Sequence, residues 1–232
     1  MWNGKKKAIT FSFDDGTTQD LRLIKILNTY GLKATFNINS GLLGTPNVLE
    51  TGDKLVILHN KVNASQVKEW YAGHEVAVHT LTHPHLVQLN DETVIRQVEE
   101  DRKALESLCG YPIIGMAYPC GGENNDERVA KLIRENTPIR YARTIKHTYS
   151  YDFEQENLLR FNPTIHFLDE KMEEIAKNFV ELQTESAQLL YIWGHSFELD
   201  IGDETWERFE NLCKILSGYA DIFYGTNKEV LL

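Results

Sequence analysis

Two adjacent carboxylates, Asp14 and Asp15, close a short apolar run, Ala8-Ile9-Thr10-Phe11-Ser12-Phe13, and are followed by Gly16. Neighbouring side chains near a strand end point in different directions, so one carboxylate can bind a cation while the other faces a water molecule. An ordinary Asp-Gly turn has the same sequence. Against that reading, two ionised carboxylates side by side repel each other, and a cation beside them relieves the repulsion. His79 and His83 stand four apart, so a helical turn or a tight loop puts both imidazoles on one side. Two imidazoles and a carboxylate are a common ligand set for catalytic zinc, with the fourth position left to water or substrate. The alternative is a pair of loop histidines flanking Pro84. His195 follows the apolar run Leu189-Leu190-Tyr191-Ile192-Trp193 and Gly194. A histidine there can serve as an acid near neutral pH, or pack as a buried ring against Trp193. Glu198 and Asp200 are near enough in sequence to orient it, or are loop charges.

The elements that must hold these groups alternate in type. Strand-like runs at 8–13, 33–38, 74–78, 112–118, 139–144, 158–165, 188–193 and 221–224 are separated by helix-like segments at 20–30, 65–71, 91–108, 126–135, 169–182 and 204–216. A looser segment rich in Gly, Asn and Thr occupies 40–63. Repeated β-then-α units predict a parallel sheet with helical crossovers. Seven or eight such units favour a barrel over an open doubly wound sheet, whose first strand normally runs into a Gly-rich phosphate turn. Asp14-Asp15-Gly16 occupies that place instead. In a parallel β/α fold all C-terminal strand ends lie on one side. Asp14-Asp15, Asn37 and Asn39, His79 to His83, Pro119 to Gly122 and His195-Ser196 therefore converge from opposite ends of the chain.

Composition narrows the partners. The 232 residues are 42% hydrophobic and 25% charged, with a net charge of −10, an ordinary globular balance. That charge leaves no basic face for a nucleic-acid backbone and disfavours an anionic membrane surface. Cys109, Cys120 and Cys213 are too few for a disulfide framework. No Gly/Pro/Ser linker or shift in composition divides the chain, so one domain over 1–232 is expected. Lys5-Lys6-Lys7 is not followed by the apolar core of a signal peptide, and no apolar stretch reaches the ~20 residues of a membrane span. The expectation is a cytoplasmic protein.

These residues together resemble the polysaccharide deacetylase family (NodB homology, carbohydrate esterase family 4). Its T-F-D-D-G motif is similar to Ser12-Phe13-Asp14-Asp15-Gly16, its H-[ST]-x-x-H motif is matched by His79-Thr80-Leu81-Thr82-His83, and its histidine-ending strand is similar to Ile192-Trp193-Gly194-His195. The resemblance implies a distorted parallel β/α barrel of about seven strands that removes N-acetyl groups from carbohydrates. It makes Asp14 the general base, His195 the general acid, and Asp15, His79 and His83 the ligands of a divalent metal. Zinc is expected, with cobalt or nickel also suited to such a set. A backbone N–H at Cys120 would help hold the developing oxyanion.

Three departures stand out. The third motif, R-x-P-[aromatic]-G, aligns with Ala117-Tyr118-Pro119-Cys120-Gly121, so the arginine that pairs with the base is an alanine. Arg143 or Arg160 is the candidate replacement, each also readable as structural or exposed. Cys120 replaces an aromatic of the groove wall, and Gly194 an apolar residue of the acetyl pocket; the Asp-containing fourth motif has no clear counterpart. Tyr118, Cys120 and Trp193 are the expected substrate contacts, Trp193 as a sugar-stacking ring, while Trp2, Trp70 and Trp206 read as core. His166 follows a strand and either reaches the site or packs; His85 reads as a loop residue. Two rivals remain beside carbohydrate deacetylation: hydrolysis of a small cyclic amide or ureide, which a missing arginine favours, and a metal-retaining glycan-binding protein without catalysis.

Overall fold

The computed structural model describes residues 1–50 and 55–232. In chain order its elements are β1 (Lys7–Asp14), α1 (Asp20–Thr29), β2 (Ala34–Ile38), β3 (Val48–Glu50), β4 (Val56–Leu58), α2 (Ala64–Trp70), β5 (Glu75–Val78), α3 (Asp91–Cys109), β6 (Gly115–Ala117), α4 (Glu127–Asn136), β7 (Tyr141–Arg143), β8 (Ile165–His166), α5 (Met172–Glu181), β9 (Gln188–His195), α6 (Asp203–Leu216), β10 (Ile222–Tyr224) and α7 (Asn227–Leu231). Strand β1 is buried along its whole length, as a parallel strand covered on both faces must be. It pairs in parallel with β9 over eight residues and with β2 over its last four, while β10 pairs with its first three.

The main sheet runs β7-β6-β5-β2-β1-β9-β8, with β10 added on β1. This is a curled parallel sheet, the distorted barrel of about seven strands that was expected, and it is a half-barrel among the described residues. The gap between β7 and β8 is bridged by irregular chain rather than a full ladder. Phe161 N–H donates to Ala142 O, Thr144 N–H to Phe161 O, and Thr164 N–H to Tyr191 O.

Helix boundaries follow local chemistry. The Asn90 side chain accepts from Thr93 N–H at the start of α3, and Gly110 ends that helix in a left-handed conformation at φ 80°. Asp126 caps α4 through Val129 N–H. Two expected strands are shorter than their apolar runs. Residues 112–118 yield only β6, where Gly115 lets Tyr141 cross at a distance that leaves no room for a Cβ. Residues 158–165 hold a 3-10 turn at Leu158–Arg160 and then the two-residue β8. The segment 40–63 contains the antiparallel hairpin β3–β4, with residues 51–54 outside the described set. Three-residue strands whose Val48, Val56 and Leu58 are exposed carry too little alternation to be read from sequence, and α7 was likewise too short.

Candidate active site

Asp14, Asp15, His79, His83 and His195 line one cavity of about 200 Å³ at the C-terminal ends of β1, β5 and β9. His79 Nε2 and His83 Nε2 lie 3.8 and 3.4 Å from Asp15 Oδ1. That oxygen is buried and accepts no hydrogen bond, a costly arrangement unless something else partners it. His79 Nδ1 stands 2.9 Å from Ala117 O. A carbonyl can only accept, so Nδ1 carries the proton and Nε2 turns a lone pair toward Asp15. Burial pushes the His79 pKa down to about 4 and lowers that of His83 as well, so both rings are neutral at neutral pH. A buried carboxylate oxygen that accepts no hydrogen bond, has Lys61 Nζ 3.4 Å away and faces two neutral imidazoles fits a divalent metal, and these three residues are close enough to share one ion.

The second shell of this cluster is supplied by α3 and by a segment from the far side of the hairpin. Asp101 on α3 accepts from His79 N–H at 3.0 Å and Ser40 N–H at 2.6 Å, and Gln97 accepts from Thr82 N–H at 3.0 Å. Residues 59–62 run antiparallel beside Gly16–Thr18, through the Thr17–Lys61 bridge and Val62 N–H to Gly16 O. This places His59 Nε2 3.0 Å from Asp15 Oδ2 and lets Lys61 Nζ donate to Asp15 O at 2.9 Å. Burial alone would raise the Asp15 pKa; His59, Lys61 and the nearby histidines outweigh it and hold the carboxyl well below its ordinary range. Asp15, Thr80, His83 and Cys120 all adopt left-handed backbone conformations, φ 60–80°. Such geometry is uncommon outside glycine and is strained for β-branched Thr80.

Asp14 is held differently. Arg143 Nη2 contacts both its carboxylate oxygens, and Asn37 Nδ2 donates to Oδ1 at 2.8 Å. The guanidinium is fully buried, lies 4.6 Å from the Trp193 ring centre and donates further to Ser12 Oγ and Thr144 O. Burial would raise the Asp14 pKa, but Arg143, His79 and His195 more than offset it and keep the carboxyl lowered. Asp14 therefore stays ionised at neutral pH.

His195 is the register partner of Asp14 across β1 and β9. Glu198 turns back on it, with Oε2 accepting the His195 backbone N–H at 2.9 Å and lying 3.3 Å from its Nδ1. Burial favours the neutral ring, yet Glu198, Asp15 and Asp14 together push the His195 pKa up to about 9. Neighbouring elements thus carry an ionised carboxylate and a protonated imidazole that face one cavity. The family profile described as polysaccharide deacetylase matches residues 2–137, more than half of the chain. The chain belongs to the polysaccharide deacetylase family.

Solved structures of such deacetylases share its fold. A family 4 carbohydrate esterase from Streptomyces lividans, in complex with acetate, superposes with a TM-score of 0.57 at 16% identity, over 96% of this chain and 92% of that one. The peptidoglycan deacetylase PdaC from Bacillus subtilis, as a D285S mutant, gives 0.55 at 18% identity, over 97% and 90%. A mutant of a CE4-family pseudoenzyme with restored enzymatic activity gives 0.59 at 16% identity, over 98% and 68%. No curated protein matches the chain.

Within this deacetylase fold the remaining expected residues are sorted by their contacts. Arg143 carries the guanidinium that Ala117 lacks, from a strand one further along the sheet. Arg160 does not reach the cavity; it pairs with Glu127 and Asn125, each at 2.8 Å. Tyr118 and Cys120 are in the wall, Tyr118 donating its hydroxyl to Leu159 O and Cys120 packing its sulfur 3.4 Å from His83 O. Trp193 is 8% exposed, with Arg143 over its ring and its Nε1–H donated to His147. It lines the same cavity and is a floor for the arginine. Asp200 is exposed but not free: it accepts from Gln19 and Trp206 and leaves His195 to Glu198. His59, Lys61, Asp101 and His147 were not anticipated. No periodicity or motif marks them, because each is tied to its partner only across the fold.

Proposed function

We propose that this chain is a metal-dependent hydrolase that removes N-acetyl groups from a carbohydrate, with Asp15, His79 and His83 as ligands, Asp14 as base and His195 as acid. The observation that carries the proposal is the pairing, in one cavity, of an Asp15 Oδ1 that accepts no hydrogen bond and faces two imidazoles with an arginine-held Asp14. A divalent ion held there, zinc by the donor set, would activate a water and polarise the acetyl carbonyl. Asp14, kept ionised by Arg143, would take the proton from an attacking water. His195, charged at neutral pH, is placed to give a proton to the departing amine nitrogen, without which an amine is a poor leaving group. The two roles need opposite protonation states, and the surroundings of the two groups push their pKa values in those opposite directions.

The cyclic amide or ureide reading leaned on a missing arginine, and Arg143 supplies that charge to Asp14. The binding-only reading has to leave this matched base and acid without a use. No helix among the described residues is long and apolar enough to cross a membrane. The test is acetate release from N-acetylated oligosaccharides, with and without chelator, beside ring opening of small cyclic amides. Wild-type protein should release acetate, lose that activity to chelator and regain it with zinc. Asp14→Asn should lower the rate by about 100-fold or more. Full activity in that variant would remove Asp14 as the base.

A further inference from the structure

A second cluster lies beside the first. His166 Nε2, His195 Nδ1 and a Glu198 oxygen lie within reach of one ion, which would make a two-histidine, one-carboxylate site. The hydrogen bonds decide otherwise. His166 Nδ1 accepts the backbone N–H of Leu168 at 3.2 Å, so the ring's lone pair is spent there and the proton of the neutral ring sits on Nε2. That nitrogen faces Glu198 Oε2 at 3.1 Å and can donate to it but has no lone pair for a metal. The tautomer is the reverse of that in His79, whose free Nε2 faces Asp15. The two clusters have the same residue types and opposite proton placement.

We infer that Glu198, steadied by His166, is the positioning residue of His195, and that this cluster holds protons and not a second metal ion. One oxygen, Glu198 Oε2, accepts the His195 backbone N–H and lies 3.1 Å from His166 Nε2 and 3.3 Å from His195 Nδ1. Its position three residues after His195 returns it onto the same ring through the 3-10 turn Ser196–Ile201. Gly194 makes the arrangement possible, since a Cβ there would stand 3.0 Å from His166 Nε2 and 2.2 Å from the Phe167 ring. With Glu198 on Nδ1, the other ring nitrogen of His195 remains for substrate. The titratable groups facing His195 are Glu198 on its own turn, Asp14 and Asp15 from β1, His83 from the loop after β5 and His166 from β8. The Glu198 carboxylate is the nearest of the three and is held well below its ordinary pKa, so it stays charged as His195 titrates.

The inference rests on the reading of His195 as the acid, and its test separates the two. Histidine ¹⁵N NMR of the zinc-loaded protein should show His166 as the Nε2–H tautomer and His195 with a proton on Nδ1, the nitrogen that faces Glu198. Glu198→Gln should move the His195 titration down by one unit or more, lower kcat for acetate release about 100-fold with KM little changed, and bring the alkaline limb of the rate profile down with it. Glu198→Asp should restore part of both. Zinc titration should give one equivalent in wild type, Glu198→Gln and His166→Ala alike. An unmoved His195 titration in Glu198→Gln, or a second zinc equivalent lost in His166→Ala, would overturn the inference. If the wild type releases no acetate, the NMR titration and zinc count still report on the cluster, and only the deacetylase reading fails.

Discussion

At the residue scale, the proposed base is defined by what neutralises it. Asp14 is 2% exposed, and a carboxylate so buried stays ionised only if paired and hydrogen-bonded. Arg143 provides the charge and Asn37 a further donor. Arg143→Met should therefore act through Asp14. Its pKa would rise, since burial remains and the largest lowering influence is gone. A base works ionised, so the acid limb of kcat/KM moves to higher pH, the opposite sense from the alkaline shift expected on losing Glu198. The rate at pH 7 should fall by about 100-fold or more, and Arg143→Lys should recover only part, because an ammonium keeps a charge near Asp14 but loses the Nε–H and Nη1–H bonds to Ser12 and Thr144 that aim the guanidinium. An acid limb unmoved in the methionine variant would mean Arg143 is a packing residue only. Asp14, Asp15, His79, His83 and His195 were legible by type and spacing. Arg143 and Arg160 were not separable, because nothing local distinguishes a strand arginine turned under a tryptophan from one turned to a surface glutamate.

At the element scale, helix α3 pins the ligand loop. Its Asp101 is fully buried and accepts the amides of His79 and Ser40, tying the end of β5 to the turn after β2. Asp101→Ala leaves the Ser40 amide unpaired, at a cost of about 1–3 kcal/mol, and leaves that of His79 only its longer bond to Ile38 O at 3.2 Å. Because the same amide sets the approach of His79, zinc affinity should drop about 10- to 100-fold, measured by competition with a chelating dye. A loss of stability with unchanged zinc affinity would confine α3 to a structural part. The long helices and the central strands were legible from capping residues and apolar periodicity. The β3–β4 hairpin and the short β6 and β8 were not, since their lengths are set by close approaches, Tyr141 over Gly115 and Phe167 over Gly194, that exist only after the sheet curls.

At the scale of the whole molecule, the ligands join parts of the chain that the sheet alone brings together. Asp15 follows β1, and His79 and His83 follow β5, with β2 between those strands. An ion bound across them should stabilise the native state by mass action. Zinc at 100 times its Kd contributes about 2.7 kcal/mol, which for a chain of this size raises Tm by roughly 5–10 °C. His83→Ala should lose most of that rise. A wild-type Tm indifferent to zinc would remove the ligand set. The residues proposed for the reaction, their order, and the side of a parallel sheet on which they meet were legible in the sequence alone, because strand alternation and strand-end polarity are local properties. Which arginine holds Asp14, that His59 and Lys61 brace Asp15, and that one histidine cluster turns lone pairs inward while its neighbour turns a proton were decided only by tertiary structure. Each depends on a distance of a few ångströms between residues far apart in the chain, and on which carbonyl or amide the far nitrogen of a ring happens to meet.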